Sequence, residues 1–128
     1  MKKIVNTTNA PAAIGPYSQA TMHNNVLYVS GQLPISPLSG DLVVGDIAVQ
    51  TTQVMENVQA IVTAAGCKME NVLKTTILLT DLANFAAVNE AYAKFFPAEP
   101  PARICYQVVA LPKGAEVEID AIVAISES

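Results

Sequence analysis

Two stretches near the end of the chain combine charged side chains with apolar, strand-like runs. The first, residues 101–112, places Arg103, the single arginine of the chain, among residues that favour burial. The second stretch puts carboxylates at every other position, at Glu116, Glu118 and Asp120. A guanidinium fork matches a carboxylate in a bidentate manner, and a positioned carboxylate can orient and deprotonate a water. On neighbouring strands these groups could hold a small anion and move its protons.

Each of these groups also has a purely structural interpretation. Arg103 could point to water from an edge strand, or it could pair with Glu116 or Glu118. Glu116 and Asp120 could lie on a solvated strand face. Strand alternation puts Arg103 and Cys105 on one face. Because no partner is apparent that would activate the Cys105 thiol, a small buried residue is favoured over a nucleophile there.

Other kinds of site have little support in the sequence. The single histidine, His23, is predicted to lie in a polar turn, and no CxxC or second histidine completes a metal site. The six glycines are scattered rather than gathered in a phosphate-binding loop. A Ser-His-Asp or Cys-His system would have to use His23 as its base. The sequence therefore predicts chemistry without a metal or a cofactor.

The composition of the chain is apolar and acidic. Hydrophobic residues make up 52% and charged residues 14%, whereas charged residues usually reach about a quarter. No apolar run approaches the roughly 20 residues of a membrane span, so the surplus predicts buried contacts between subunits. A net charge of −4 and a pI near 4.8 disfavour a nucleic-acid partner.

The N-terminus and the cysteines favour a cytoplasmic protein. Residues 1–6 contain two lysines but no apolar segment after them, so a signal peptide is not expected. Cys67 and Cys105 are predicted to be free thiols in a reducing compartment. The length, 128 residues, predicts one domain spanning residues 1–128.

The first half of the chain predicts strands followed by a long helix. Strands are expected at residues 2–5, 26–32 and 41–44. Residues 6–19 should form an ordered loop packed on the body. Gly31, inside a strand, predicts a bulge or a close backbone approach. The helix should begin after Asp46 and end before Gly66, with an apolar stripe at spacings of three and four.

The second half of the chain predicts a strand, a helix and a final pair of strands. Strands are expected at residues 71–80, 102–110 and 115–125. Asp81 can cap a helix over residues 82–96, with Phe85 and Tyr92 in its buried stripe. Residues 111–114 should join the last two strands as a hairpin turn. In the last strand, Val117 begins the apolar face and Glu118 lies on the other. Two helices against one mixed sheet define an α+β architecture.

Motifs spread over nearly the whole chain, in order and at matching spacing, carry a family resemblance. They are the loop 10–19, the run 30–34, Glu56-Asn57, Asp81-Leu82 with Phe85 and Val88-Asn89, and Pro101-Ala102-Arg103 through Leu111-Pro112-Lys113. They resemble the Rid family, also called the YjgF family of reactive-intermediate deaminases. The resemblance implies a chorismate-mutase-like fold, a ferredoxin-like variant, and a homotrimer. In that trimer three sheets enclose a central β-barrel, and the clefts lie at subunit interfaces.

The resemblance also implies a reaction and a class of substrate. Rid deaminases of this subgroup hydrolyse 2-aminoacrylate, 2-iminopropanoate, 2-iminobutanoate and related compounds to 2-oxo acids and ammonia, without a cofactor. These intermediates leave pyridoxal-phosphate enzymes such as threonine dehydratase. The substrate is anionic, so one arginine can bind and orient it. A protonated imine is already electrophilic, so one held water and one carboxylate could suffice.

The site residues follow from the resemblance, position by position. Arg103 matches the arginine that binds the substrate carboxylate, and Glu118 matches the acid that positions the attacking water. Cys105 matches a strand cysteine whose backbone helps to position the imine or the water. The residues that match the lining of the pocket are Tyr17, Ser30, Gly31 and Asn89.

The chain departs from the family pattern close to this site. Ile104 stands where the subgroup usually has serine, and Tyr106 replaces a valine. Both are predicted to face away from Arg103 and to affect packing at the trimer interface or in the core. The segment 97–100 is short and borders the cleft, so the sequence does not fix the preferred imine.

Two other functions remain open as alternatives to catalysis of this kind. The cleft could bind a 2-oxo acid without turnover, in a trimer that regulates a transcription factor or an enzyme. Nuclease or translation-inhibitor activity is attached to some relatives in the family. The acidic composition and the single arginine disfavour that second alternative.

Overall fold

The computed structural model describes residues 1–125, which form six strands and two α-helices. The strands are β1 (Lys3–Val5), β2 (Ala20–His23), β3 (Val26–Gln32), β4 (Val72–Leu79), β5 (Ala102–Gln107) and β6 (Val117–Ala124). The helices are α1 (Ile47–Ala64) and α2 (Phe85–Ala93). The strand order is β1-β2-β3-β6-β4-β5, and among these described strands only β4 and β5 pair in parallel. The predicted α+β architecture with a mixed sheet is confirmed.

Helix α1 begins and ends where its sequence signals predict. The Asp46 carboxylate accepts a hydrogen bond from the backbone N–H of Val49 at 3.0 Å, as an N-cap should. Gly66 follows the helix with a φ of +79°, a left-handed conformation that glycine adopts without strain. The apolar stripe between the caps packs on the sheet, and Val58 and Ile61 are fully buried.

Strand β2 was missed because its turn lacks the usual glycine. The strand pairs with β3 from Ala20 opposite Val29 to His23 opposite Val26. Asn24 and Asn25 form the two-residue turn, both with positive φ, as a hairpin turn of this length requires. The prediction that His23 belongs to the turn is wrong, since His23 is the last residue of β2.

The predicted hairpin between the last two strands is also wrong. Strand β4 lies between β5 and β6 in the sheet. Parallel strands need a crossover connection, and α2 provides it between β4 and β5. The chain then passes beyond β4 through a short 3₁₀ helix, Pro112–Gly114, to reach β6. Arg103 and the carboxylates of β6 are therefore not on neighbouring strands.

Two other predicted elements are shorter in the structure. The strand expected at 41–44 is reduced to a single bridge between Ile35 and Leu42. Asp81 caps a 3₁₀ turn, Leu82–Asn84, by accepting from the N–H of Ala83 at 2.9 Å. The α-helix proper starts only at Phe85, whose side chain is 38% exposed rather than buried.

The loop over residues 6–19 is ordered, as predicted, because Gln19 fixes it to the body. Gln19 is only 2% exposed. Its Nε2 donates to the carbonyl oxygens of Thr7 and Pro11 at 3.0 and 2.8 Å, while its Oε1 accepts from the N–H of Thr7 at 2.7 Å. This closed loop carries Tyr17 to the end of β3, where the Ser30 N–H donates to the Gln19 carbonyl at 2.9 Å.

The helices cover one face of the sheet, and the opposite face is open in the part of the chain that the structure describes. Tyr28, Ile104 and Tyr106 lie on this open face and are 49%, 46% and 49% exposed. Ile104 and Tyr106 thus point away from the Arg103 side, as strand alternation predicts. The open face is a broad apolar surface beside the acidic side chains of β6.

One buried hydroxyl on α1 yields a prediction about stability. Thr51 is 0% exposed, and its Oγ1 has no hydrogen-bond partner among the described residues. Thr51→Val is expected to raise the free energy of unfolding by about 1 kcal/mol, because a buried unsatisfied hydroxyl costs roughly 1–3 kcal/mol. Urea denaturation measures the change.

Thr75→Val is the matched control for this prediction. Thr75 is 1% exposed, but its hydroxyl is hydrogen-bonded to the Tyr92 hydroxyl at 2.7 Å. The same substitution there leaves the Tyr92 hydroxyl without its partner, so the free energy of unfolding should fall. A loss of stability in Thr51→Val would contradict the interpretation of Thr51.

Candidate active site

Glu118 is a half-buried carboxylate on the open face of the sheet. Strand β6 alternates strictly, with Val117 and Ile119 in the core and Glu118 and Asp120 on the other side. Burial raises the pKa of Glu118, and the charge of Asp120 raises it further. Asp120 is itself held by the Thr76 N–H, which donates to its carboxylate at 2.9 Å. A raised pKa makes Glu118 a better proton acceptor than an ordinary glutamate.

A bulge in β3 brings the backbone of Gly31 against this carboxylate. The register of β3 on β6 shifts between Val29 and Gln32, so that Ser30 and Gly31 together stand opposite one position of β6. A Cβ added to Gly31 would lie 2.1 Å from Oε2 of Glu118. Both the bulge and the close approach predicted for Gly31 are confirmed, and Glu118 is the group that approaches.

A cleft of about 510 Å³, the Glu118 cleft, opens beside the carboxylate. Its lining includes Tyr17, Ser30, Gly31, Lys113 and Glu118, together with apolar residues of the loops. The Ser30 hydroxyl donates to the Ser18 carbonyl at 2.5 Å and so fixes the loop that carries Tyr17. The Tyr17 side chain is 54% exposed at the cleft. Tyr17, Ser30, Gly31 and Glu118 therefore form one wall that offers a base, a phenol and backbone groups to a small molecule.

Arg103 lies on the opposite face of the sheet, beside α2. Its register partner on β4 is Thr75, which faces the helices. The guanidinium Nη1 donates to Oδ1 of Asn89 at 2.6 Å. Its Cζ lies 5.4 Å from the ring centroids of both Phe85 and Tyr92. Within residues 1–125 the guanidinium forms no ion pair with a carboxylate, so the pairing with Glu116 or Glu118 that the sequence left open does not occur.

A second cleft, the Arg103 cleft, has a volume of about 500 Å³. Arg103 and Asn89 supply its polar groups, and the other lining residues are Tyr92, Ala93, Phe96, Pro100 and Pro101. Pro100 belongs to the short segment 97–100, which thus borders this cleft. The arrangement suits an anion with an apolar body, because a cation stands at the edge of an apolar wall.

Cys105 follows two positions after Arg103 and is half-buried with a free thiol. Burial raises the pKa of this thiol, and the charge of Arg103 offsets the effect only in part. The thiol is therefore mainly protonated at neutral pH, which does not suit a nucleophile. A structural or backbone role for Cys105 remains the better interpretation.

The site residues predicted from sequence thus fall into two groups on opposite faces of the sheet. Tyr17, Ser30, Gly31 and Glu118 line one cleft, whereas Asn89 and Arg103 line the other. Cys105 lies on the Arg103 side of the sheet but is not among the residues that line that cleft. A small anion held by Arg103 is out of reach of Glu118 in the same protomer, because β4 and the thickness of the sheet separate them.

Sequence reasoning missed the residues that surround the guanidinium. Phe85 and Tyr92 were assigned to the buried stripe of a helix, yet both rings face Arg103. The available signal was their spacing with Asn89, since positions four and three residues apart share one helical face. An aromatic–amide–aromatic stripe opposite the single arginine would have indicated the contact.

Among residues 1–125, no three histidine, cysteine or acidic side chains come together as metal ligands would. In the same range, no helix has the length and apolarity needed to cross a membrane.

The family model described as "Endoribonuclease L-PSP" matches residues 7–125. The chain belongs to this family, the Rid or YjgF family. The match includes both clefts and every strand except β1. The family resemblance inferred from the motifs is confirmed.

Relatives and solved structures agree over almost the entire chain. The Bos taurus protein named 2-iminobutanoate/2-iminopropanoate deaminase is 50% identical, covering 95% of this chain and 89% of that protein. The Rid-family protein YyfA of Yersinia pestis superposes with a TM-score of 0.95 at 48% identity, covering 98% of this chain and 100% of the other. E. coli TdcF, solved with bound serine, gives 0.93 at 42% identity, with 97% and 99% covered.

Proposed function

We propose that this protein is a hydrolytic deaminase of reactive 2-imino and enamino acids, releasing 2-oxo acids and ammonia without a cofactor. The proposed substrates are 2-aminoacrylate, 2-iminopropanoate and 2-iminobutanoate. The observation that carries the proposal is Glu118, a half-buried carboxylate of raised pKa that faces a cleft across Gly31. The name of the Bos taurus relative supports the same substrate class.

The proposed active site is shared between neighbouring protomers of a homotrimer. One protomer contributes the Arg103 cleft, and its neighbour contributes the Glu118 cleft. A cyclic trimer joins two different surfaces at each interface, which suits two complementary half-sites on opposite faces. The apolar open face, with Tyr28, Ile104 and Tyr106, supports burial in a central β-barrel of the chorismate-mutase-like type.

The proposed reaction assigns one role to each charged group. Arg103 holds the substrate carboxylate, and Asn89 fixes the guanidinium that does so. Glu118 takes a proton from water while the water oxygen bonds to the imine carbon and the C=N electron pair moves to nitrogen. Glu118 then returns the proton to nitrogen, and the regenerated carboxylate accepts the hydroxyl proton of the adduct as the C=O bond forms, the C–N bond breaks and ammonia leaves.

The supply of substrate follows from its chemistry. Enamines and imines of this kind are products of pyridoxal-phosphate dehydratases, and a cytoplasmic enzyme of that class is the proposed source. The assay therefore couples the protein to a threonine dehydratase and measures ammonia release or competition with semicarbazide. Wild type should accelerate ammonia release, and Glu118→Gln should not. If the protein binds a 2-oxo acid tightly but gives no acceleration, it is a carboxylate-binding module instead.

The pH dependence of the reaction should reveal the environment of Glu118. Burial and then the charge of Asp120 raise the pKa of Glu118, and the proposed base must be ionised. Because of this, kcat/KM should fall on the acid side at a higher pH than for an ordinary glutamate. Asp120→Asn removes the like charge and should move this limb to lower pH. If the acid side of the kcat/KM profile lies at the same pH in Asp120→Asn and in wild type, Asp120 does not influence the base.

The same group should make stability depend on pH. A pKa that is raised by folding favours the protonated form in the native state. Its contribution to stability is present below the ordinary glutamate pKa and is lost as pH rises through the raised value. Glu118→Gln should therefore increase the Tm at neutral pH while it removes turnover. Equal Tm values for the two proteins at neutral pH would contradict the raised pKa.

A further inference from the structure

Helix α2 presents three side chains to the Arg103 guanidinium along one stripe. Phe85, Asn89 and Tyr92 are four and three positions apart, so they share a face of the helix. Asn89 accepts a hydrogen bond from the guanidinium, and both rings lie 5.4 Å from its Cζ. A cation within about 6 Å of a ring centroid is attracted by the π-face. An arginine that is largely exposed is thereby held in one place.

The Tyr92 ring is itself fixed from the sheet by Thr75. The two hydroxyls are hydrogen-bonded at 2.7 Å, and the residues are 5% and 1% exposed. The ring of Phe96 packs against that of Tyr92 with centroids 4.9 Å apart. Burial raises the pKa of Tyr92 more than the Thr75 hydrogen bond and the Arg103 charge lower it, so the phenol stays neutral. The hydrogen bond therefore persists over the working pH range.

Thr75 also stands next to Arg103 through the backbone. The two residues are register partners in the parallel pair of β4 and β5. Thr75 thus pairs with the backbone of Arg103 and also holds the Tyr92 ring. The guanidinium end of the Arg103 side chain lies over that same ring. These contacts connect Thr75 on the strand to Tyr92 on the helix, and Tyr92 to the Arg103 guanidinium. The Thr75–Tyr92 hydrogen bond is buried, whereas the bond from Arg103 to Asn89 is exposed to solvent.

We propose that the Thr75–Tyr92 pair is a positioning element that presets the Arg103 guanidinium for the substrate carboxylate. This inference rests on the proposed function, in which Arg103 holds that carboxylate. Thr75 acts only through Tyr92, because its own side chain is buried. Without the pair, the guanidinium samples more rotamers and must be ordered when the substrate binds.

The single arginine of the chain permits a direct test by NMR. The Arg103 Nε–H signal has no counterpart from another arginine, so ¹⁵N relaxation reports its mobility without ambiguity. The order parameter should fall in Thr75→Val and Tyr92→Phe, which lose the hydrogen bond, and fall further in Tyr92→Leu, which loses the ring. Tyr28→Phe makes the same chemical change on the opposite face and should leave the signal unchanged.

A kinetic cycle provides the second readout. Tyr92→Phe should raise KM for the imino acid roughly three- to tenfold and change kcat less, because a binding interaction is lost. In an Arg103→Lys background the same substitution should have almost no effect on KM, since two residues that act through one contact are not additive. Thermal unfolding of every variant checks that it is folded at the assay temperature.

The outcomes separate this inference from the proposed function. An unchanged Arg103 order parameter in Tyr92→Leu overturns the positioning role, whatever the activity. The same KM factor in the wild-type and Arg103→Lys backgrounds also overturns it, because the effect of Tyr92 would then be general. If the wild-type protein is not a deaminase, the NMR comparison still decides whether the pair orders Arg103.

Discussion

A mixture of equal amounts of Arg103→Ala and Glu118→Ala chains, unfolded and refolded together, is expected to regain about one quarter of wild-type deaminase activity. The activity of each variant alone should fall about a hundredfold or more, because each removes a charged group that is proposed to contact the substrate or the water. In the mixture, an interface between an intact Arg103 cleft and an intact Glu118 cleft forms by chance at about one site in four. The expectation follows from the two half-sites, which lie on opposite faces of one protomer.

The controls for complementation use the way the residues divide between the clefts. Arg103→Ala mixed with Asn89→Ala should give no recovery beyond the residual activity of Asn89→Ala, because both changes fall in the same half-site. Mixing the folded Arg103→Ala and Glu118→Ala proteins without unfolding should recover activity only as subunits exchange. No recovery after joint refolding, with assembly shown by mass measurement in solution, would contradict the shared site.

Gly31→Ala is expected to lower kcat/KM by about a hundredfold, which is the cost of displacing the proposed base by roughly 1 Å. The added Cβ would lie 2.1 Å from Oε2 of Glu118, so the carboxylate has to move. Glu118→Asp in the same chain shortens the acid by one methylene and should restore part of the activity. Steady-state kinetics of the single and double variants measure both changes.

Gly40→Ala separates this steric effect from the general cost of replacing a glycine. Gly40 has a φ of +77°, and apart from its chain neighbours no atom of residues 1–125 lies within 4 Å of an added Cβ. Its replacement should lower the free energy of unfolding by about 1–2 kcal/mol through backbone strain, with unchanged kcat. If Gly31→Ala kept wild-type kcat, the close approach to Glu118 would have no catalytic importance.

The sequence predicted correctly those structural features that depend on a few neighbouring residues. The caps of α1 at Asp46 and Gly66, the alternation of β6 and the bulge at Gly31 all depend on a few adjacent residues, and each is confirmed. Strand β2 was not predicted, because Asn24 and Asn25 adopt positive φ without the glycine that usually marks such a turn. The strand order could not be read locally, since the insertion of β4 between β5 and β6 depends on the path of the whole chain.

The same limit explains what the sequence could say about the site. Alternation shows which residues share a face within one strand, so Arg103 and Cys105 were placed together correctly. It does not relate the faces of two strands whose pairing is unknown. For that reason Arg103 and Glu118 were expected on neighbouring strands, whereas the structure places them on opposite faces. Phe85 and Tyr92 were hidden among core residues, because a helix stripe has the same spacing whether it contacts apolar groups or a cation.

Strand β5 lies at the edge of the sheet, so the proposed assembly would affect solubility as well as activity. An edge strand presents unpaired backbone donors and acceptors, which attract other edges and promote aggregation unless they are covered. Arg103 and Cys105 lie on that strand, so a neighbouring protomer that completes the proposed active site would also cover this edge. Substitutions that weaken assembly would then have two effects. They would reduce turnover, and they would promote aggregation of the unassembled chain.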